Sequence, residues 1–214
     1  ALEDTSAAGF ARAALVFALI WWAWSAYAWL TDAIDVENTT TRLFMFGAML
    51  AVFFMALAVP NAFSDEAGWF VVSYFVVRVL HVALYLWRVR DDPEYRAAVV
   101  RLAPWFLVAP TLVLAGGFLD DPARSVLWTA SLAIDVAGTL VAARGGTRRF
   151  RVAASHFAER YALIVIIALG ESIVALGLAA SHDLEAGVIV AGLLGFAVAA
   201  ALWWLYFDVV SIVA

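Results

Sequence analysis

Four ionisable side chains interrupt long apolar runs, and they are the residues from which chemistry could come. Arg78 and His81 stand three apart among Phe75, Val76, Val77, Val79 and Leu80, a spacing that puts them on one helix face. Extended in steps of four and three, that face reads Tyr74, Arg78, His81, Tyr85 and Arg88, a polar stripe that must meet protein or water. Asp135 lies in the middle of another run, with Ser131 four residues before it and Thr139 four after. In a third run Glu171 and Ser172 break Leu163-Ile164-Val165-Ile166-Ile167-Ala168-Leu169-Gly170. A charge near the centre of a bilayer costs about 2.5–3.5 kcal/mol even on the lenient insertion scale, so each group must be paired, solvated or used. The simplest arrangement packs the three helices together, with Arg78 bonded to Asp135 or Glu171 and His81 nearby. One permanent cation then faces two carboxylates, and the surplus calls for a proton, a bound cation or a protonated His81. The competing reading keeps the same residues as interhelical ties and His81, Tyr74 and Tyr85 as packing groups.

The elements that must position these groups follow from composition. Of 214 residues 66% are hydrophobic and 14% charged, against the quarter or so of charged residues usual in soluble domains. Mean hydropathy is +0.94. The runs are continuous rather than alternating, which excludes a membrane barrel and predicts an all-α polytopic bundle, residues 1–214 as a single integral membrane domain. Seven spans are expected: 10–31, 42–60, 68–88, 98–118, 124–143, 160–180 and 186–208. Pro60-Asn61 stops the second, and Pro104 and Pro110 kink or break the fourth unless neighbours satisfy the freed carbonyls. Zero cysteines exclude thiol chemistry and disulfides. All 13 basic residues are Arg, and the absence of lysine excludes a retinal or pyridoxal Schiff base. A net charge of -5 spread over loops offers nucleic acid no basic face. Membrane lipids are the expected surroundings.

The arginines set the orientation. With seven spans one side carries Arg12 and Arg124, and the other carries Arg42, Arg88, Arg90, Arg96, Arg101, Arg144, Arg148, Arg149, Arg151 and Arg160. Basic residues in short loops stay on the cytoplasmic side, so the first residue is expected outside and the last inside. The Arg144–Arg151 cluster reads as topology and contact with anionic lipid headgroups. An internal echo links Trp21-Trp22 before Asp32 with Trp203-Trp204 before Asp208, either a repeat of the kind transporters use or two unrelated aromatic belts.

His156 and Glu159 are three apart and would make half a metal site, too little for a closed one. No zinc-hydrolase, nucleophile-elbow or phosphate-loop motif is present, so neither enzyme chemistry, a metal nor a cofactor is expected. At this point the residues acquire a family resemblance. His156-Phe157-Ala158-Glu159-Arg160-Tyr161, followed by Ile166-Ile167-Ala168-Leu169-Gly170-Glu171-Ser172-Ile173, resembles the signature of the bacterial low temperature requirement A family. Trp21-Trp22-Ala23-Trp24, Arg42-Leu43, Val59-Pro60-Asn61-Ala62-Phe63 and Leu202-Trp203-Trp204-Leu205-Tyr206-Phe207-Asp208 resemble other blocks of it. The similarity runs over nearly the whole chain. It departs at Ala162, where the family has Gly, and in lacking the family's opening Glu- and Phe-rich helix and the helices after Asp208. The opening Ala1-Leu2-Glu3-Asp4 is no signal peptide, and the chain is expected to be a fragment of a longer protein.

The resemblance implies a polytopic bacterial inner-membrane protein associated with growth in the cold and brings no settled biochemical activity with it. Three functions stay open. A transporter of protons, cations or small molecules would use Glu171, Asp135, Arg78, His81 and Ser172 as its centre and needs a watered path to them. A membrane scaffold or stress-adaptation protein would keep them dry and paired. An intramembrane enzyme would have a surface pocket near His156 and Glu159. Oligomeric state has no signature in the sequence.

Overall fold

The computed structural model describes residues 6–32, 38–144, 154–179 and 186–210, and among these there are seven α-helices and no strand. They are α1 (Ala7–Asp32), α2 (Thr39–Ala58), α3 (Gly68–Arg88), α4 (Pro93–Gly116), α5 (Ala123–Arg144), α6 (Ala154–Ala179) and α7 (Ala186–Leu205), the last continued by a π-helical turn, Tyr206–Val210. Six of them, all but α6, are long and apolar enough to cross a membrane. The sixth expected span, 160–180, is helical to Ala179 within α6, which carries Glu159, Arg160 and Glu171. The chain divides into two compact units, Ala1–Arg151 and Val152–Ala214.

In the first unit α3 is the organising helix, packed against α1, α2 and α4, while α5 closes on α4 and α1. Leu19 and Ala23 of α1, Met55 of α2, Phe70, Val71, Tyr74 and Val77 of α3, Val113 of α4 and Trp128 of α5 form the core. The opposite periodicity marks the lipid face of α2, where Leu43, Phe46, Leu50, Phe53 and Leu57 recur at three- and four-residue steps and are all exposed. Local signals explain the helix ends. Asn38 accepts a hydrogen bond from the Thr40 N–H at 2.9 Å and starts α2. At the other end of α2 a single 3₁₀ turn, Val59–Asn61, turns the chain at Pro60.

Two features of α4 involve its prolines. Helix α4 is unbroken through Pro104 and Pro110. It also begins at Pro93, in what reads from sequence as a turn, because a proline at the first helical position gives up no hydrogen bond.

At one end of this unit the connections are tied by charge. Arg124, at the start of α5, donates to the carbonyls of Leu119 at 3.0 Å, Ser64 at 3.1 Å, Ala62 at 3.3 Å and Gly117 at 3.5 Å. Arg12 pairs with Asp121 at 2.8 Å, and both guanidinium groups lie against the Phe63 ring. The start of α1, the α2–α3 connection and the α4–α5 connection therefore share one end, as alternate loops of a serpentine bundle must.

In the second unit α6 and α7 pack on each other. Their large apolar side chains, among them Ile167, Val174, Leu178, Leu193 and Trp204, are exposed.

Candidate functional site

The polar stripe of α3 meets the acid of α5. The Arg78 Nη2 donates to Asp135 Oδ1 at 2.6 Å, and each residue is 2% exposed. Two further bonds fasten α1 to α3 at this level. The Tyr27 hydroxyl donates to the Val77 carbonyl at 2.9 Å. The His81 Nε2 lies 3.2 Å from the Ala26 carbonyl, which can only accept, so Nε2 carries the hydrogen and in the neutral ring Nδ1 is left as an acceptor. The His81 ring sits between Tyr27 and Tyr85, its centroid 5.3 and 6.1 Å from theirs.

What distinguishes this centre from a plain ion pair is how much of it is unsatisfied. Asp135 Oδ2, Arg78 Nε, His81 Nδ1, the Tyr74 hydroxyl and the Ser131 hydroxyl are all buried without a hydrogen-bond partner. Each sits on α3 or α5 within about one turn of the Arg78–Asp135 bond. A buried polar atom left unpaired costs roughly 1–3 kcal/mol, so a cluster of five is a place where small hydrogen-bonding species have something to gain. Donors and acceptors are both present: Arg78 Nε–H donates, Asp135 Oδ2 and His81 Nδ1 accept, and the two hydroxyls do either. Thr139, expected on the same face, instead returns its hydroxyl to the Asp135 carbonyl of its own helix at 2.9 Å.

The fold brings Arg78, Asp135 and His81 together as expected. Within the first unit Arg78 and Asp135 cancel, and no surplus carboxylate needs a counter-charge there. Glu171 belongs to the second unit. It is exposed on α6 and, among the described residues, makes no hydrogen bond or ion pair. Its neighbour Ser172 bonds back to the Ala168 carbonyl at 2.8 Å, and a Cβ placed on Gly170 would meet nothing within 4 Å. Glu159 is exposed, and Arg160 and Tyr161 are half-buried. The His156 side chain lies outside the described residues. Among the described residues no group of three or more His, Asp or Glu could hold a metal ion.

Sequence reasoning missed Tyr27, which reads as a member of an interfacial aromatic belt. The available signal was the single phenol hydroxyl in the Trp21–Trp29 run, since a tyrosine buried among tryptophans must find an acceptor.

A multi-pass helical membrane protein with a partly satisfied polar centre between its helices is the class that fold and site define. A model of the family described as Bacterial low temperature requirement A protein matches residues 1–214, and the chain belongs to that family. It is 33% identical over 216 residues to an uncharacterized protein of Rhizobium meliloti (strain 1021), covering 96% of this chain and 53% of that protein. The chain thus spans about half the length of the curated relative it matches. No solved structure matches.

Proposed function

We propose that this chain is part of a proton-coupled transporter of the bacterial inner membrane, with Asp135 as the group that gains and loses the proton and Arg78 as its fixed counter-charge. The observation that supports the reading is the unfilled half of the centre. Asp135 keeps Oδ2 without a partner although Oδ1 is bound at 2.6 Å. A proton arriving at Oδ2 neutralises the carboxylate and weakens its hold on Arg78, and the bundle then has two states that differ by one interhelical bond. A metal cation fits less well, because it would be placed against the Arg78 guanidinium in a centre whose formal charges already cancel. His81 Nδ1 and the Ser131 and Tyr74 hydroxyls are the groups available to relay a proton to Asp135. Glu171 and Ser172 on α6 are a second carboxylate station of the same reading, and the family-motif residues His156, Glu159, Arg160, Tyr161 and Gly170 lead into it.

The test is proton flux in proteoliposomes of the full-length protein under a pH gradient, with Na⁺, K⁺ and organic solutes scanned in turn. Flux in the parent, and its loss by about tenfold or more in Asp135→Asn, is the expected result, since replacing an acid that must ionise removes the step rather than slowing it. Glu171→Gln tests the second station separately. A parent that moves nothing under any gradient would sink the reading.

The alternative, a scaffold with structural charges, rests on a specific observation too: the Arg78–Asp135 pair is closed and fully enclosed. A scaffold would lose stability and no flux when the pair is removed.

A further inference from the structure

Outside the polar centre, one cleft in the first unit has chemistry of its own. It has a volume of about 230 Å³ and is lined by Phe54, Leu57 and Ala58 of α2, Asn61 and Glu66 of the α2–α3 connection, and Trp69 of α3. We infer that it binds the ammonium headgroup of a zwitterionic phospholipid, with Glu66 and Trp69 as the recognising groups.

The cleft is graded from polar to apolar. Asn61 and Glu66 stand in the polar connection, Trp69 is the second residue of α3, and Leu57 and Phe54 lie about one and two turns back along α2. Phe54 and Asn61 are seven residues apart, about 10 Å at helical rise, which is the distance from a headgroup to the first carbons of its acyl chains. The volume falls below the roughly 300–1,000 Å³ of sites that enclose a drug-sized ligand. It suits a headgroup held from one side while the chains lie in the bilayer.

Charge selects the ligand. The Asn61 amide donates to Glu66 Oε2 at 2.8 Å, and the Ser64 hydroxyl accepts from the Glu66 N–H at 3.1 Å, so the carboxylate is aimed by its surroundings. Its second oxygen makes no hydrogen bond among the described residues. Asp65 precedes it, and the 61–67 connection contains no base. The two arginines at this end of the bundle, Arg12 and Arg124, do not offset the acids there, because among the described residues Asp120 and Asp121 stand at the same end with Asp65 and Glu66, and Arg12 is paired with Asp121. Trp69 is 70% exposed and stacks on Phe54 with ring centroids 6.5 Å apart, offering an aromatic face beside the carboxylate. A carboxylate with an indole face is the recurring recognition set for ammonium groups, and the same acids repel a net-anionic headgroup.

Lipid retention by the intact full-length protein decides the matter, measured by native mass spectrometry in detergent with phosphatidylethanolamine, phosphatidylcholine and phosphatidylglycerol of equal acyl chains. The two ammonium lipids should be retained in preference to phosphatidylglycerol. Glu66→Gln and, separately, Trp69→Leu should each weaken that retention by about threefold to fivefold, the size of an exposed cation–aromatic or charge contact. Both positions are exposed, and circular dichroism checks that the variants keep their helices. Equal retention of the anionic lipid would overturn the inference, as would an unchanged preference in Glu66→Gln. A dimer that depended on Trp69 would assign the cleft to a second copy and overturn it as well. None of these outcomes bears on Asp135.

Discussion

Arg78 and Asp135 separate the two functional readings because a pair can be deleted as a unit. Removing one partner strands a buried charge, and such half-deletions cost about 3–5 kcal/mol in soluble proteins. Asp135→Leu is therefore expected to lower the unfolding temperature of the detergent-solubilised protein markedly, and Arg78→Met to do the same. The double variant replaces the pair with apolar groups of similar bulk, and stability should return to within about 1–2 kcal/mol of the parent. Flux, under the proposed function, should not return with it. Recovery of stability together with unchanged transport would leave the pair a structural tie. Arg78, His81 and Asp135 were legible in sequence because a charge inside an apolar run has so few ways to exist. Which acid Arg78 would choose was not legible. Spacing along one helix says nothing about the rotation of another, and the Arg78–Asp135 bond is made by how α3 and α5 turn toward each other.

Contact between helices depends on residues that lack a side chain as much as on those that have one. At the junction of α4 with its following turn, a Cβ on Gly117 would stand 2.5 Å from both Cγ atoms of Val71, and one on Gly116 would stand 2.8 Å from Trp128 Nε1. Val71 is fully buried and β-branched in a helix, so it has no second rotamer into which to retreat. The Trp128 indole is held by its own bond to the Val113 carbonyl at 3.0 Å. Gly117→Ala should thus destabilise the bundle by about 1–3 kcal/mol through overpacking, read as a lowered unfolding temperature. Combining it with Val71→Ala should give less than the sum of the two single losses, and strict additivity would show that the clash is relieved elsewhere. The helices themselves were readable from continuous apolar runs, to within a few residues except where α4 and α6 start early, although α6 is not among the six apolar enough to cross a membrane. These glycines were not readable, since close approach belongs to a pair of helices and not to either sequence. The echo between Trp21-Trp22 and Trp203-Trp204 gains no support from the elements: α1 buries Leu19, Ala23 and Leu30, whereas α7 leaves Trp203 and Trp204 exposed.

For the whole molecule, sidedness is predicted by where the arginines fall. On the sparse side, Arg12 and Arg124 are both engaged at the end of the first unit where the α2–α3 and α4–α5 connections meet. On the other side Arg88, Arg90, Arg96 and Arg101 are exposed, with Arg90 paired to Asp91 at 3.3 Å and lying over the Trp87 ring. The bias of ten against two predicts the Asp65 connection outside and the Asp91 connection in the cytoplasm. The chain has no native cysteine, which makes the test direct. Asp65→Cys and Asp91→Cys, both at exposed loop positions, would be treated in intact cells with a membrane-impermeant maleimide. The first should label at once and the second only after the membrane is opened. The reverse pattern would invert the topology and move the ammonium-lipid cleft to the cytoplasmic leaflet. It would leave the Arg78–Asp135 centre where it is, because that centre lies within the bundle and has no side.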